Sequence, residues 1–412
     1  MTAITKAQAA KAFGAALFTS TRRPNTFVNM LTGAAPKSVK ADKNRNKSQT
    51  EAGAPVVMIN DLSKVAGDTV EMDLFHNLSK KPTMGDKKVE GRAEDLNKVV
   101  FELSINQGRH NVDSGGKMSQ QRTKQNLLQV ARTMLGNYFN DLQDEVAMYH
   151  LAGARGSFDA PDLIVPTEQD PDFKEIMVNP VTPPTYDRHF YGGDATSLNQ
   201  LTKADTLTLG KIDDLALFLE EMAHPILPIR FEADQLAGED PFYILFVTPR
   251  QWNDLAKDLK KAGANGESSF QALMASAINR SKGFNHPIFR GDVIMYRNIL
   301  IRKYRKPVRF NPGDVVQISK NTKDATTTDD VIPTGVTVDR AILLGGQAMA
   351  SAYGKTSSGA QFKMHTEKVD HGNGRETSIA WMNGVAKVRF EEKSGRINDY
   401  GVAALDTAVT IH

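Results

Sequence analysis

An α+β fold with one very long helix is expected from three features of this 412-residue sequence. An apolar stripe recurs at three- and four-residue steps from about Ser119 to Ala152. Alternating, strand-like segments lie before that stripe and again throughout the last third of the chain. Two of them, residues 70–74 and 99–105, are separated by some twenty mostly polar residues, where a tight hairpin needs only about two to five. The strands therefore come from distant parts of the sequence, and a long two-stranded finger projects from among them.

Taken in order, residues 1–57 read as an arm. Glycine, proline, serine, asparagine and lysine are frequent and apolar periodicity is poor. The net charge of the whole chain is +3, yet residues 1–50 carry nine basic residues against the single acid Asp42. A basic arm on a mildly acidic body points to an acidic partner, either nucleic acid or a neighbouring copy. Its candidate contact residues are Arg22, Arg23, Lys37, Lys40, Lys43, Arg45 and Lys47. The stretch "VVMI" at 56–59 reads as a short strand.

The finger spans residues 58–112. Val70, Met72 and Leu74 share one face, as do Val99, Phe101, Leu103 and Ile105. Its middle carries Lys80, Lys81, Lys87, Lys88 and Arg92 against Asp86, Glu90, Glu94 and Asp95. These are the candidate contacts of the finger with a partner. A disordered surface insertion is the plain alternative, but paired strands anchor both ends.

The long helix is expected over 119–152, with Ser119 as its cap and Gly153 as its stop. Leu127, Ala131, Met134, Leu135, Tyr138, Leu142, Val146 and Tyr149 form its stripe. There is no sustained heptad, so a coiled coil is not expected. Prolines and glycines then break residues 155–210 into loops. Ile212, Leu215, Phe218, Leu219 and Met222 give an amphipathic helix. "YILFVTPRQWNDL" is a buried strand, a turn and a helix, with Thr248 and Gln251 spaced as a capping box around Pro249. Ser268–Ile278 is a further helix. Strands follow at 292–304, with a turn at Arg297–Asn298, and at 314–318. "VDRAILLGGQAMASAYG" reads as a strand running into a short helix, and two more strand segments close the chain.

No catalytic or metal chemistry is specified. "AYGKTSSG" has Met349 where a phosphate loop needs its first glycine. His365, Asp370 and His371 fit no zinc spacing, and a solvated turn accounts for them better. His110 with Asp113, and His189 with Asp194, are pairs of residue types without ligand geometry. Asp324, Asp329 and Asp330 lack the ligand order of a calcium loop. There is no cysteine, hence no thiol nucleophile and no thiolate site. No cofactor and no enzymatic role are expected. No apolar run approaches the roughly eighteen residues of a membrane span, the N-terminus lacks the apolar core of a signal peptide, and no membrane partner is expected. A basic nucleic-acid-binding module is conceivable for residues 1–50 alone, and a soluble enzyme with a basic tail would need a concave site that the sequence does not specify.

Local stretches carry a sharper likeness. "VMINDLSKVAGDTVEMDLFHNLSKKPTMGDKKVEGRAEDLN", "YILFVTPRQWNDL", "HPIFRGDVIMYRNILIRKY", "DRAILLGGQAMASAYG" and "GRETSIAWMNGVAKVRF" with "DYGVAALDTAV" resemble, in the same order, the major capsid proteins of tailed bacteriophages, in particular a podophage-type family. The likeness spans about residues 56–405, with Arg297–Asn298 standing where that family has a glycine turn. The resemblance implies the Hong Kong 97-type fold. It implies a basic N-terminal arm (1–57), an extended loop (58–112), a peripheral domain with the spine helix (113–210, completed by strands of 351–412) and an axial domain (211–350). It further implies an icosahedral shell of pentamers and hexamers around double-stranded DNA, assembled in the host cytoplasm, with portal, scaffold and decoration proteins as further partners and non-specific contact with the packaged DNA. Another structural virion protein, of a tail or fibre, is the alternative.

Overall fold

The computed structural model describes residues 28–33, 50–51, 53–59, 68–232, 234, 236, 238–261, 266–282, 284, 286–320, 328–333, 335–354 and 362–410. Two sheets and one long helix organise them. The first sheet is built around the 14-residue strand Gly374–Lys387. Its first half lies between Phe362–Val369 and Asn106–Gly116, both antiparallel to it. Its last residues pair with Met349–Tyr353, which in turn takes Val56–Ile59 as a parallel neighbour. Five strands from three distant stretches of sequence thus share one sheet.

The second sheet has seven strands, with Thr337–Leu344 at its centre between Val402–Val409 and Tyr243–Val247. All residues of these three strands are buried, as expected of strands covered on both faces. The helices Leu209–Glu221 and Pro249–Lys261 cover one face through Ile212, Leu215, Leu219, Leu255 and Leu259. The second helix starts as its sequence requires. The Thr248 amide donates to Gln251 Oε1 at 2.9 Å, and the Gln251 amide donates back to Thr248 Oγ1 at 3.3 Å. The strands Val293–Tyr296 and Ile299–Lys303 meet in a two-residue turn. Arg297 takes the left-handed backbone (φ 49°) that glycine would supply without strain, and its guanidinium pairs with Asp213 at 2.7 Å.

The long helix runs Leu127–Ala152, shorter at its start than the stripe suggests. Asn126, not Ser119, is its cap, accepting from the Gln129 amide. Ser119 lies inside a separate short helix, Lys117–Gln121. The break between the two is stabilised locally: Gln120 accepts from the Leu127 amide and donates to the Gln125 carbonyl. Gly153 ends the helix in a left-handed conformation (φ 68°). Twenty-six residues give about 39 Å of rod. Leu135 and Phe139 press it onto Ile379 of the first sheet, and Leu142 onward joins the main core that runs under the second sheet. One element type differs from expectation. "QAMASAYG" is a strand, Met349–Tyr353, rather than a helix, because its small residues fill the gap between Val56–Ile59 and Gly374–Lys387, where pairing outweighs the propensity of alanine.

A buried ion pair links neighbouring strands of the second sheet. Arg340 donates twice to Asp406, from Nε at 2.7 Å and Nη2 at 2.8 Å, with both side chains fully buried. His189 Nε2 lies 2.7 Å from the same carboxylate and its Nδ1 lies 3.2 Å from the Tyr191 hydroxyl. His189 therefore has a packing role beside Asp406, and its pairing is not with Asp194. His110 stacks on Tyr138 at 4.2 Å. Among the described residues no helix is long and apolar enough to cross a membrane, and no group of three His, Asp or Glu is arranged to hold a metal ion.

Candidate assembly interface

The finger consists of the antiparallel strands Thr69–Phe75 and Lys98–Ser104, with an irregular tip over 76–97. Gly85 (φ 68°) and Gly91 (φ 76°) supply left-handed turns at the tip. Alternation decides what the neck does. Val70 and Leu103 are buried, and Met72, Leu74, Val99 and Phe101 pack beside them onto Val57, Ile59, Ala350, Ala352, Val388 and Phe390. The ring of Phe101 meets that of Phe390 edge-on at 6.1 Å. The neck therefore lies on its own sheet, and among the described residues the tip lacks such a bed. Asp73 and Lys98 close the outer face of the neck at 2.9 Å.

Two features fix the finger's root. Asn179, nearly buried, accepts from the Ser104 amide at 3.0 Å and donates to the carbonyls of Ser104 at 2.9 Å and Val385 at 3.1 Å. It thereby joins the root to the central strand of the first sheet. Val178, at φ 64° and ψ −61°, centres a tight γ-turn closed by the Asn179 amide on the Met177 carbonyl at 2.7 Å, a backbone that a β-branched residue rarely adopts, and it turns the chain so that Asn179 reaches that position. Opposite, Gly384 lets the root approach closely, since a Cβ there would stand 1.9 Å from the Ser104 carbonyl oxygen. Beneath the bed, Lys387 and Arg389 both donate to the buried carboxylate of Asp399. Burial alone would raise that carboxyl, but the two cations outweigh it and hold it below the usual range.

The tip brings together only part of the predicted contact set. Glu94 receives the Ser79 and Lys80 amides, and Lys393 Nζ from the body donates to it at 2.6 Å. Lys80 Nζ donates to the Ala93 carbonyl. The Lys393 hydrogen bond first, and those two amides second, pull the Glu94 carboxyl from 4.5 to about 2. Lys81, Asp86, Lys87, Lys88, Glu90, Arg92 and Asp95 are exposed and form no ion pair among the described residues. Arg22, Arg23, Lys37, Lys40, Lys43, Arg45 and Lys47 lie outside the described residues.

Charge patterning missed the exposed apolar part of the finger. Phe75, Leu78, Met84, Val89, Leu96 and Val100 are all exposed, from 42% for Val100 to 72% for Met84. Isolated exposed apolar residues are ordinary, but several on one projecting element mark an interaction surface. The available signal was their recurrence within an otherwise charged segment.

Comparisons agree with this geometry. A family model described as phage capsid protein matches residues 1–411. The major capsid protein of Pseudomonas phage KPP25 is 22% identical over 291 residues, which are 69% of this chain and 68% of that protein. The capsid of Ralstonia phage GP4 superposes with a TM-score of 0.71 at 30% identity, covering 92% of this chain and 94% of that one. The capsid of cyanophage Pam1 shares the fold, with a TM-score of 0.61 at 17% identity and 99% of both chains covered. The chain belongs to the phage capsid protein family, and it is a major capsid protein that forms capsid shells.

Proposed function

We propose that copies of this chain tile into a closed icosahedral shell of pentamers and hexamers around double-stranded DNA, each finger tip lying on a neighbouring copy. The observation that carries this reading is the contrast within the finger: a neck with one face bedded on its own sheet and a tip with four exposed apolar side chains, Leu78, Met84, Val89 and Leu96. A pre-set neck lowers the ordering cost of binding, because the tip is already presented in one place. The exposed charges Lys81, Asp86, Lys87, Lys88, Glu90, Arg92 and Asp95 then pair across the contact, each pair contributing roughly 0–1 kcal/mol. Weak contacts repeated around a closed shell hold it together, while a misplaced copy can still leave during growth.

In this reading residues 211–350 are the axial domain, 113–210 with 351–412 the peripheral domain, and 58–112 the extended loop. The basic arm, through Arg22, Arg23, Lys37, Lys40, Lys43, Arg45 and Lys47, meets neighbouring copies and the packaged DNA without sequence preference. Assembly takes place in the host cytoplasm, with portal, scaffold and decoration proteins as further partners. Electron microscopy of the purified chain, alone and after deletion of residues 78–96, tests the reading. The deleted chain should keep its circular dichroism spectrum and form no shells. Shells at normal yield from that chain would remove the finger from the mechanism.

A further inference from the structure

A cavity of about 380 Å³ opens between the long helix, the helix Pro171–Met177 and the start of the strand Asn106–Gly116. Tyr138, Leu142, Val146, Ile176 and Trp381 give it an apolar floor. Asp172 and Glu175 stand at one side and the exposed Arg109 also lines it; the two acids form no ion pair among the described residues and leave the lining with a net negative charge. Gly384, Val385 and Val178 also line it, so it adjoins the Asn179 clamp on the finger root.

The chain carries a segment of matching chemistry outside the described residues. "KAQAAKAFGAALFTSTRR", residues 6–23, holds Lys6, Lys11, Arg22 and Arg23 and no acid. Ala10, Phe13 and Leu17 follow one another at steps of three and four, the spacing of groove-binding anchors. We propose that this segment of a neighbouring copy seats in the groove, with Phe13 and Leu17 on the Tyr138–Trp381 floor and its cations toward Asp172 and Glu175.

A neighbour is favoured over the same chain by the point of entry. The arm joins its own body at Val28, whose amide donates to Asp144 Oδ1 at 3.3 Å. Asp144 is two residues from both Leu142 and Val146, so it stands about 160° around the helix from these floor residues and about 100° from Gln143 at the groove's edge, at 3.6 residues per turn. A chain's own arm therefore starts on the far flank of the helix. An arm seated in the neighbour's groove braces that neighbour's finger root, so the two contacts reinforce each other. This inference rests on the shell reading given above.

Because the chain has no cysteine, an introduced pair reports cleanly. Shells of Phe13→Cys/Ile176→Cys, and separately of Leu17→Cys/Ile176→Cys, are oxidised and run without reductant. At least one pair should convert most of the chain into a ladder of linked copies, and Met84→Cys/Ile176→Cys should give none. Shells with no link from either arm pair, a link confined within single chains, or a ladder from the Met84 pair instead would each overturn the proposal while leaving the shell reading intact. Absence of shells from the unaltered chain overturns the shell reading itself. A second measurement covers pairs that do not assemble. In Trp252→Phe chains the remaining Trp381 should emit further to the red by several nanometres when Phe13→Ser and Leu17→Ser are added to assembled shells. Unchanged emission would count against the groove as the arm's seat.

Discussion

Lys393 Nζ lies 2.6 Å from Oε1 of Glu94, tying the finger tip to the hairpin that follows the central strand of the first sheet. The Glu94 carboxyl sits at about 2 in the folded chain against its ordinary 4.5. A depressed acid contributes its stabilisation above the unfolded value and loses it as pH falls through the folded one. The tether should therefore be fully present above about pH 4.5 and gone near pH 2. Hydrogen exchange at the Ser79 and Lys80 amides should accelerate across that window, and Lys393→Ala should give faster exchange already at pH 7. Equal exchange in Lys393→Ala and the parent chain would show that the contact does not hold the tip.

Asn179→Ala should lower stability by about 1–3 kcal/mol, because it leaves the Ser104 amide and the buried carbonyls of Ser104 and Val385 without their partner. Thermal unfolding measures this. The same variant should assemble more slowly than its stability loss alone explains, as the finger root becomes free to swing. A melting temperature and an assembly rate both unchanged would argue against the clamp.

Met84→Ser and Val89→Ser should each leave unfolding within roughly 0.5 kcal/mol of the parent chain, since both side chains are exposed. Shell yield should nevertheless fall several-fold, and the double variant should fall further. Counting shells by negative-stain microscopy at matched concentration is the measurement. Unchanged yield would show that the apolar tip is not buried on assembly.

Arg340→Ala should be among the most damaging single changes in the chain. It strips a fully buried carboxylate, Asp406, of a two-point partner, and breaking such a pair costs about 3–5 kcal/mol. Soluble yield and urea unfolding report the loss. A conservative Arg340→Lys should recover only part of it, because an ammonium cannot reproduce the paired geometry.

His150 is buried against the Met177 carbonyl, and burial pulls it from 6.5 down to about 4. Its folded value is below its unfolded one, so the unfolded chain takes up the proton first. Stability should fall as pH drops from about 6.5 to 4, by up to about 1.4 kcal/mol per pH unit from this group. His150→Gln should flatten that slope, leaving the share due to His189 and His286, which burial also lowers. Unfolding free energies measured across pH 4–7 decide the matter.

Much of this architecture could be read from spacing. Thr248, Pro249 and Gln251 announce a helix start, and the alternation of Val70, Met72 and Leu74 with Val99, Phe101 and Leu103 announces the neck. Both signals are local, and local chemistry decides them. The start of the long helix was less legible, because Ser119 and Asn126 compete as caps and the choice depends on Gln120 folding back on Leu127.

The finger's bed was not legible at all. Nothing near residue 70 or 103 in the sequence points to Ala350, Val388 or Phe390, because those contacts follow from sheet order and not from periodicity. For the same reason Asn179 looked like any loop asparagine, and Lys393 like any surface lysine. At the tip, charges drew attention from the apolar residues between them. A residue's exposure depends on what the fold places above it, and above Leu78, Met84 and Val89 the described residues place nothing.

The distance along the chain between finger and bed has a consequence during synthesis. The neck strands leave the ribosome long before Val388 and Phe390 exist to receive them. At roughly 5–20 residues per second, that interval is on the order of tens of seconds. Throughout it an apolar ribbon with open edges has no bed to cover it. Crowded translation is thus the stage at which these chains are most apt to misassociate, and slowing elongation late in the message should raise the aggregated fraction without changing the finished fold.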